Sequence, residues 1–387
     1  MVRIPSRGCI SMSVVSTKML QAASASSTPN FILVVGGDYG TVGSNAGVFT
    51  YDYTDPENLV LMDHLPSSAA SGINHARSAV FDKENMLLII SASNGNDKGW
   101  AFVVDVSDPY NLSLAASRQI ATSYTNGYAQ LGYRVGLDVA NKKAYFAGSF
   151  GSTGAGEIIR LNYSSTSVSA NFYANSYIDD PRAVNYDPVN NYVWVGIQDD
   201  NYIRVFNQTL SYVDYAISVT KPGDFFLDFD NSKIITTEIV SSGDVWELHG
   251  PISISPRPSK LDGLNPNPDV NPRNGFAVDT SNKEVFSSYG YSFSITSYAS
   301  DNLTQRSVIS SLPATYVGSS TAGVDLVNNL VVHGGRELSG ATDNIAALSI
   351  FDISDRDNPT QTATYSRDDS VTANLTKVIF TDFYVNE

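Results

Sequence analysis

The sequence predicts an all-β chain folded as a seven-bladed β-propeller of four-stranded antiparallel blades, and three observations predict it. First, an Asp-x-x-Asn pattern between apolar runs recurs six times, at Asp82…Asn85, Asp138…Asn141, Asp187…Asn190, Asp228…Asn231, Asp279…Asn282 and Asp325…Asn328, with a degenerate copy at Asp382. Second, the steps between these Asp residues run from 41 to 57, about 50 on average, which is the period of a repeat architecture. Third, each repeat holds four β-rich segments, here a to d. A lone four-stranded meander leaves both faces uncovered, and stacking several around an axis covers them.

Strands a and b flank the pattern. Alternation before the Asp, as in Ala79-Val80-Phe81 and Phe276-Ala277-Val278, reads as strand a. The denser runs after the Asn, such as Leu87-Leu88-Ile89-Ile90, Tyr192-Val193-Trp194-Val195 and Leu330-Val331-Val332, suit a strand b buried on both faces. In the connecting turn the Asp side chain bonds a backbone N–H two residues on, and the Asn tolerates a left-handed backbone. No segment keeps a helical period for three turns, so a helical reading is poor.

Strands c and d follow a loop. Blade 2 shows them as Trp100–Val106 and Leu112–Ile120, joined by Ser107-Asp108-Pro109-Tyr110-Asn111. Blade 1 repeats this as Gly47–Tyr53 with Asp55…Asn58, and blade 7 as Ala347–Ile353 with Asp355…Asn358. The units span about 31–66, 73–120, 131–174, 179–218, 221–261, 272–312 and 315–366, which makes seven, with six as the main rival count. The first unit has no a strand of its own, since Phe31–Gly36 already reads as b. The missing strand is expected at the other end, in Thr376–Tyr384, so that pairing of the chain ends closes the ring and removes exposed edges.

The strings Val103-Val104-Asp105-Val106-Ser107-Asp108-Pro109 and Ile350-Phe351-Asp352-Ile353-Ser354-Asp355 resemble the LVIVD-type propeller repeat. Blades 3 to 6 lack the Asp-Pro turn, and their a–b turns are more similar to YVTN and lactonase-like propellers. The resemblance spans nearly the whole chain, identifies a repeat, and implies a cell-surface or secreted protein. Fold alone does not give an activity.

Composition narrows the classes of partner. The chain has 387 residues, 42% of them hydrophobic, enough for a large core. Its net charge of −15 argues against nucleic acid and against anionic membrane surfaces. No apolar run is long enough for a membrane span. Residues 30–387 are expected to form one propeller domain. Residues 1–29 carry Arg3, Arg7, Lys18 and Cys9 and no acidic residue, the composition of a leader or a tethering tail. Cys9 is the single cysteine, so the propeller has no internal disulfide. The four His residues are scattered, and no motif for a hydrolase nucleophile, a phosphate loop or a calcium loop is present. No cofactor is therefore expected. A divalent cation held by Asp224, Asn185, Asn274 and Glu238 is the one alternative on that score, with no motif behind it.

In a meander the a–b and c–d turns share one end, and the b–c loops and blade-to-blade connections share the other. Long segments such as 38–46, 93–99, 149–156 and 334–344, together with the Pro-rich Pro251–Pro272, are assigned to the second end, where function is expected. The a strands start there too. Arg77, Arg134, Arg182, Asp224, Arg273 and Lys377 lie four to six residues before their turn Asp, with His75 beside the first. They form a candidate channel-mouth site for a small anionic ligand, because guanidinium forks suit carboxylate or phosphate. The competing reading has each Arg paired with a carboxylate such as Asp179, Asp180 or Asp224, bracing the blades. The preferred function is a non-catalytic binding or assembly module, secreted or at a cell or particle surface, with a protein or glycan partner. The alternative is a lactonase- or hydrolase-like enzyme using His75 and the Arg set in the channel.

Overall fold

The computed structural model describes residues 28–37, 47–69, 73, 76–94, 98–119, 130–131, 134–149, 155–238, 245–264, 275–289, 292–310, 322–339, 343–365 and 377–386. They form seven antiparallel sheets arranged as a propeller. Blade 2 is Ala76–Asp82, Leu87–Asn94, Lys98–Asp105 and Ser113–Gln119, in that order from a to d. Blades 4 to 7 repeat it, beginning at Pro181–Asp187, Pro222–Asp228, Ala277–Asp279 and Ala322–Asp325.

Blade 1 is completed from the far end of the chain. Lys377–Tyr384 pairs with Phe31–Gly37, with Phe380 opposite Val35 and Asp382 opposite Leu33. The expected closure is therefore present. It joins the two ends by the same ladder that holds every other blade together.

Alternation along the b and c strands makes the ring. Ile32 and Val34 pack on blade 7, while Leu33 and Val35 pack on blade 2. In blade 2, Leu88 and Ile90 face blade 1, whereas Leu87 and Ile89 face blade 3. The same split gives an apolar cluster at every interface around the circle, including those between blades 3 and 4, 4 and 5, 5 and 6, and 6 and 7. A strand buried on both faces reads as a continuous apolar run, and this is why the b strands look as they do.

The a–b turn differs from its sequence reading in one respect. The Asn is not the left-handed residue. That conformation falls one position later, at Met86, Lys142, Asn191, Ser232, Lys283 and Asn329, with φ between 52° and 58°. The Asn serves as a clamp. Its backbone N–H and its side-chain amide both donate to the turn Asp, as Asn85 does to Asp82 at 3.1 and 2.8 Å. All six patterns repeat this. The six carboxylates are at most 2% exposed, so the clamp replaces the water they lose.

The turn also positions the next contact. The carbonyl of the left-handed residue accepts from the residue that ends or follows strand c, as Lys142 does from Tyr163 and Lys283 from Tyr298. From there the Tyr hydroxyl crosses to the preceding blade. Tyr163 donates to Asp82, Tyr298 to Asp228 and Tyr53 to Asp325, at 2.7 to 2.8 Å. Gln208 holds the same place for Asp138, and Arg356 from the c–d turn reaches Asp279. Blade 5 carries Pro251 at this position, which has no side-chain donor. Burial, and then the neighbouring carboxylate, push the three Tyr hydroxyls well above their ordinary pKa, so they donate at every physiological pH.

Two local departures matter. The Pro-rich segment divides into a c–d connection, Pro251–Pro258, on the short-turn end, and the d strand Ser259–Leu264. Its placement wholly at the long-loop end is thus corrected; 265–272 lies outside the described residues. In blade 3 the innermost strand is split into Gln130–Leu131 and Gly136–Asp138. Between them Arg134 pairs in parallel with Ala183 of blade 4, and its carbonyl accepts from Val184 N–H at 2.9 Å. Gly136 permits this approach, since a Cβ there would stand 3.0 Å from the Tyr186 nitrogen.

His333 on strand b of blade 7 is 1% exposed, and among the described residues neither ring nitrogen has a hydrogen-bond partner. Burial lowers its pKa from 6.5 to about 4. Below pH 6.5 the unfolded chain takes up a proton at this site that the folded chain refuses, so stability falls with pH. The loss is about 3 kcal/mol by pH 4. His333→Leu is expected to flatten urea-measured stability between pH 7 and pH 4 by about this amount relative to wild type. Tyr163→Phe and Tyr298→Phe should each cost roughly 1.5–3 kcal/mol in the same assay. The exposed Tyr110→Phe should change stability by less than about 0.5 kcal/mol.

Candidate functional site

The innermost strands enclose a cavity of about 240 Å³ on the propeller axis. Blades 1, 2, 3, 5, 6 and 7 contribute to its wall. Every lining residue lies between four positions before a turn Asp and one position after it, so the cavity occupies the short-turn half of the channel. Phe81, Phe226, Phe276 and Phe380 supply aromatic surface, Val80, Val135, Val278 and Val324 and four small residues supply most of the remaining apolar wall, and Thr381 adds a hydroxyl.

Two ion pairs mark its limits. Arg134 sits at the far limit, four residues before Asp138. It reaches across the channel to Asp224 of blade 5 with a two-point contact, Nε to Oδ1 at 3.0 Å and Nη2 to Oδ2 at 3.1 Å. Nη2 also donates to the Phe276 carbonyl of blade 6 at 2.8 Å. The guanidinium lies over the rings of Phe226 and Phe276, 5.5 and 4.8 Å from their centroids. Asp224 is fully buried and accepts the Phe225 N–H as well. At the turn end Lys83 pairs with Asp382 at 3.0 Å, and the Lys83 side chain is about half exposed, so the cavity wall reaches solvent there.

The structure brings only part of the sequence-derived set together. Arg134 and Asp224 meet directly. Arg182 contacts Asp180 at 2.5 Å, two residues away on its own blade. Arg77 and Lys377 lie within described strands, but their side chains fall outside the described residues, as do His75 and Arg273 altogether. Of the oxygen-rich set, Asn185 donates to the Phe225 carbonyl at 2.7 Å, and Asn274 is outside the described residues. Among the described residues no cluster of three or more His, Cys, Asp or Glu is placed to hold a metal ion. None of their helices is long and apolar enough to cross a membrane.

The apolar wall was not singled out in the sequence. Its signal runs down the repeats. One, two and three positions before each turn Asp stand residues such as Val278, Phe226 and Phe276, and these columns are mostly apolar or small in the lining blades.

No protein-family model matches this chain, and comparison with curated proteins finds no match. Solved structures do match. The periplasmic gluconolactonase of Pseudomonas aeruginosa superposes with a TM-score of 0.68 at 10% identity, covering 92% of this chain and 100% of that one. A protein from Lactobacillus plantarum gives 0.65 at 13% identity, with 92% and 100% covered. A candidate 6-phosphogluconolactonase from Bacteroides fragilis gives 0.61 at 10% identity, with 92% and 98% covered. At such identity these likenesses show a shared seven-bladed β-propeller fold and nothing finer.

Breaking the channel pair from one side should be costly. Arg134→Met leaves Asp224 buried without its partner and is expected to destabilise by roughly 3–5 kcal/mol in urea unfolding. Adding Asp224→Asn should recover a large part of that loss, because the stranded charge is gone.

Proposed function

We propose that this chain is a non-catalytic binding or assembly module of the LVIVD/YVTN propeller type, secreted or displayed at a cell or particle surface. Its long-loop face and central channel hold a protein or glycan partner or a small ligand. The observation that carries this reading is the state of charge in the channel. Arg134 is matched by Asp224, Arg182 by Asp180 and Lys83 by Asp382. Groups locked in this way support shape and position. A clamp for developing negative charge needs donors aimed at the reacting atoms. The remaining members of the sequence-derived set, His75, Arg77, Arg273 and Lys377, stay candidates at the channel mouth for an anionic group.

The second reading is a lactonase- or hydrolase-like enzyme in the channel, with His75 as base. It is favoured by the two neighbours named as gluconolactonases, whose likeness conveys the fold. Incubating the full chain with glucono-δ-lactone and its 6-phosphate, against the buffer rate, separates the two. The binding reading expects no acceleration, and a rise in melting temperature with members of a panel of glycans and sugar acids. Turnover that disappears in His75→Ala would establish the enzyme instead. Including calcium and EDTA in the melting panel tests the divalent-cation alternative.

A further inference from the structure

We propose that the axial cavity between the Arg134–Asp224 and Lys83–Asp382 pairs is a binding site for a neutral, flat, single-ring compound carrying one carbonyl acceptor. This deepens the reading of the channel as a ligand site and rests on it. Three observations converge.

Size comes first. A dry cavity of about 150 Å³ lined by aliphatic and aromatic side chains holds benzene. At about 240 Å³ the axial cavity holds one six-membered ring with a short substituent.

The wall comes second. Phe226, Phe276 and Phe380 with Val278 and Val324 give an apolar lining, drawn from four blades. Aromatic faces in such a ring favour a flat partner in offset or edge contact. A sugar ring would bring several hydroxyls, each needing a partner when buried, and the polar side chains of the lining are few: Thr381 and the ion-paired Lys83, Arg134 and Asp382.

Charge comes third. The lining carries Lys83, Arg134 and Asp382, and Asp224, outside the lining, pairs with Arg134, so each cation at the cavity is matched by a carboxylate. An anion entering here loses its hydration without gaining a free counter-charge, because the buried Asp224 stands directly behind Arg134. A neutral acceptor meets no such penalty. Arg134 spends Nε and Nη2 on Asp224 and Phe276, while among the described residues Nη1 meets no acceptor. A carbonyl on the ring accepts from that nitrogen, and the ring then lies near the phenyl groups that already contact the guanidinium.

The experiment uses the full chain with acetophenone as the probe. Benzoate serves as its anionic counterpart and glucono-δ-lactone as the polar ring. Binding is read by titration calorimetry, and location by nuclear Overhauser contacts from acetophenone ring protons to the methyl groups of Val278 and Val324. Saturable acetophenone binding with those contacts is expected, with benzoate at least about tenfold weaker. Val278→Phe, which fills the cavity, should weaken acetophenone by at least about tenfold. The contacts on wild type decide the matter should that variant fail to fold. Absence of saturable binding, equal or tighter binding of benzoate or glucono-δ-lactone, or undiminished binding by a folded Val278→Phe overturns the proposal. Failure with acetophenone while a glycan still raises the melting temperature removes this ligand class alone. His75-dependent lactone turnover removes the broader binding reading.

Discussion

A carboxylate buried at the base of six of the seven blades is the constraint on which the other features rest. Asp82, Asp138, Asp187, Asp228, Asp279 and Asp325 are all but inaccessible to water, and a charge in that position is tolerated only with a full set of donors. Part of the set is local, from the Asn three residues on. In five of the six cases the remainder comes from the next blade, through Tyr163, Gln208, Tyr298, Arg356 and Tyr53. A blade is therefore electrostatically incomplete by itself. The donor fixes how far its own blade is displaced around the axis from the one before, because a hydroxyl at 2.7 Å allows little sliding. Apolar burial supplies the bulk of the attraction between blades, but it is non-directional. Angular register comes from the polar contact.

The same logic extends to the outer edge and to the closure. Leu112 N–H of blade 2 donates to Asp63 on the outer strand of blade 1, and Leu303 N–H of blade 6 to Asp262 of blade 5. Leu59 N–H of blade 1 uses the Tyr365 hydroxyl of blade 7 in the same way. Interfaces are thus pinned near the axis and near the rim. Blade 1 differs because its turn carboxylate, Asp382, comes from the end of the chain, and blade 2 carries Val106 where blades 1, 3 and 6 place Tyr and blade 4 places Gln. Lys83 takes over, reaching Asp382 from the neighbouring a–b turn. The ring is consequently closed by a backbone ladder between the chain ends and by an ion pair that also bounds the axial cavity.

Much of this was legible in the sequence because the repeat copies its local chemistry. The Asp-x-x-Asn spacing marked each hairpin, the dense b strands marked two-sided burial, and the absence of a first a strand pointed to Lys377–Tyr384. What could not be read was any relation between blades. Tyr163 lies 81 residues from Asp82, and nothing near either announces the bond. The role of the turn Asn was also misassigned, because Asn both tolerates a left-handed backbone and donates from its side chain, and composition does not separate the two. Of the candidate site, Arg134 and Asp224 were picked as individuals from their place ahead of the turn. Their union depends on the split inner strand of blade 3 and on Gly136, features that appear in the sequence only as an unremarkable Arg-Val-Gly.

That union bears on how charge in such a chain is to be interpreted. Counting basic residues at the starts of the a strands gives the valence of the positions, whereas a ligand responds to the field they produce. The two differ when a partner 90 residues away cancels the charge. Cancellation here follows from the fold, since a channel walled by apolar strands has a low dielectric, and an unmatched guanidinium within it would be costly. Buried groups elsewhere obey the same rule, as with Glu284 between Arg306 and Arg356. Five of the six turn carboxylates, Asp82, Asp138, Asp187, Asp228 and Asp325, are instead met by neutral donors, so part of the excess of 39 acidic over 24 basic residues is itself buried.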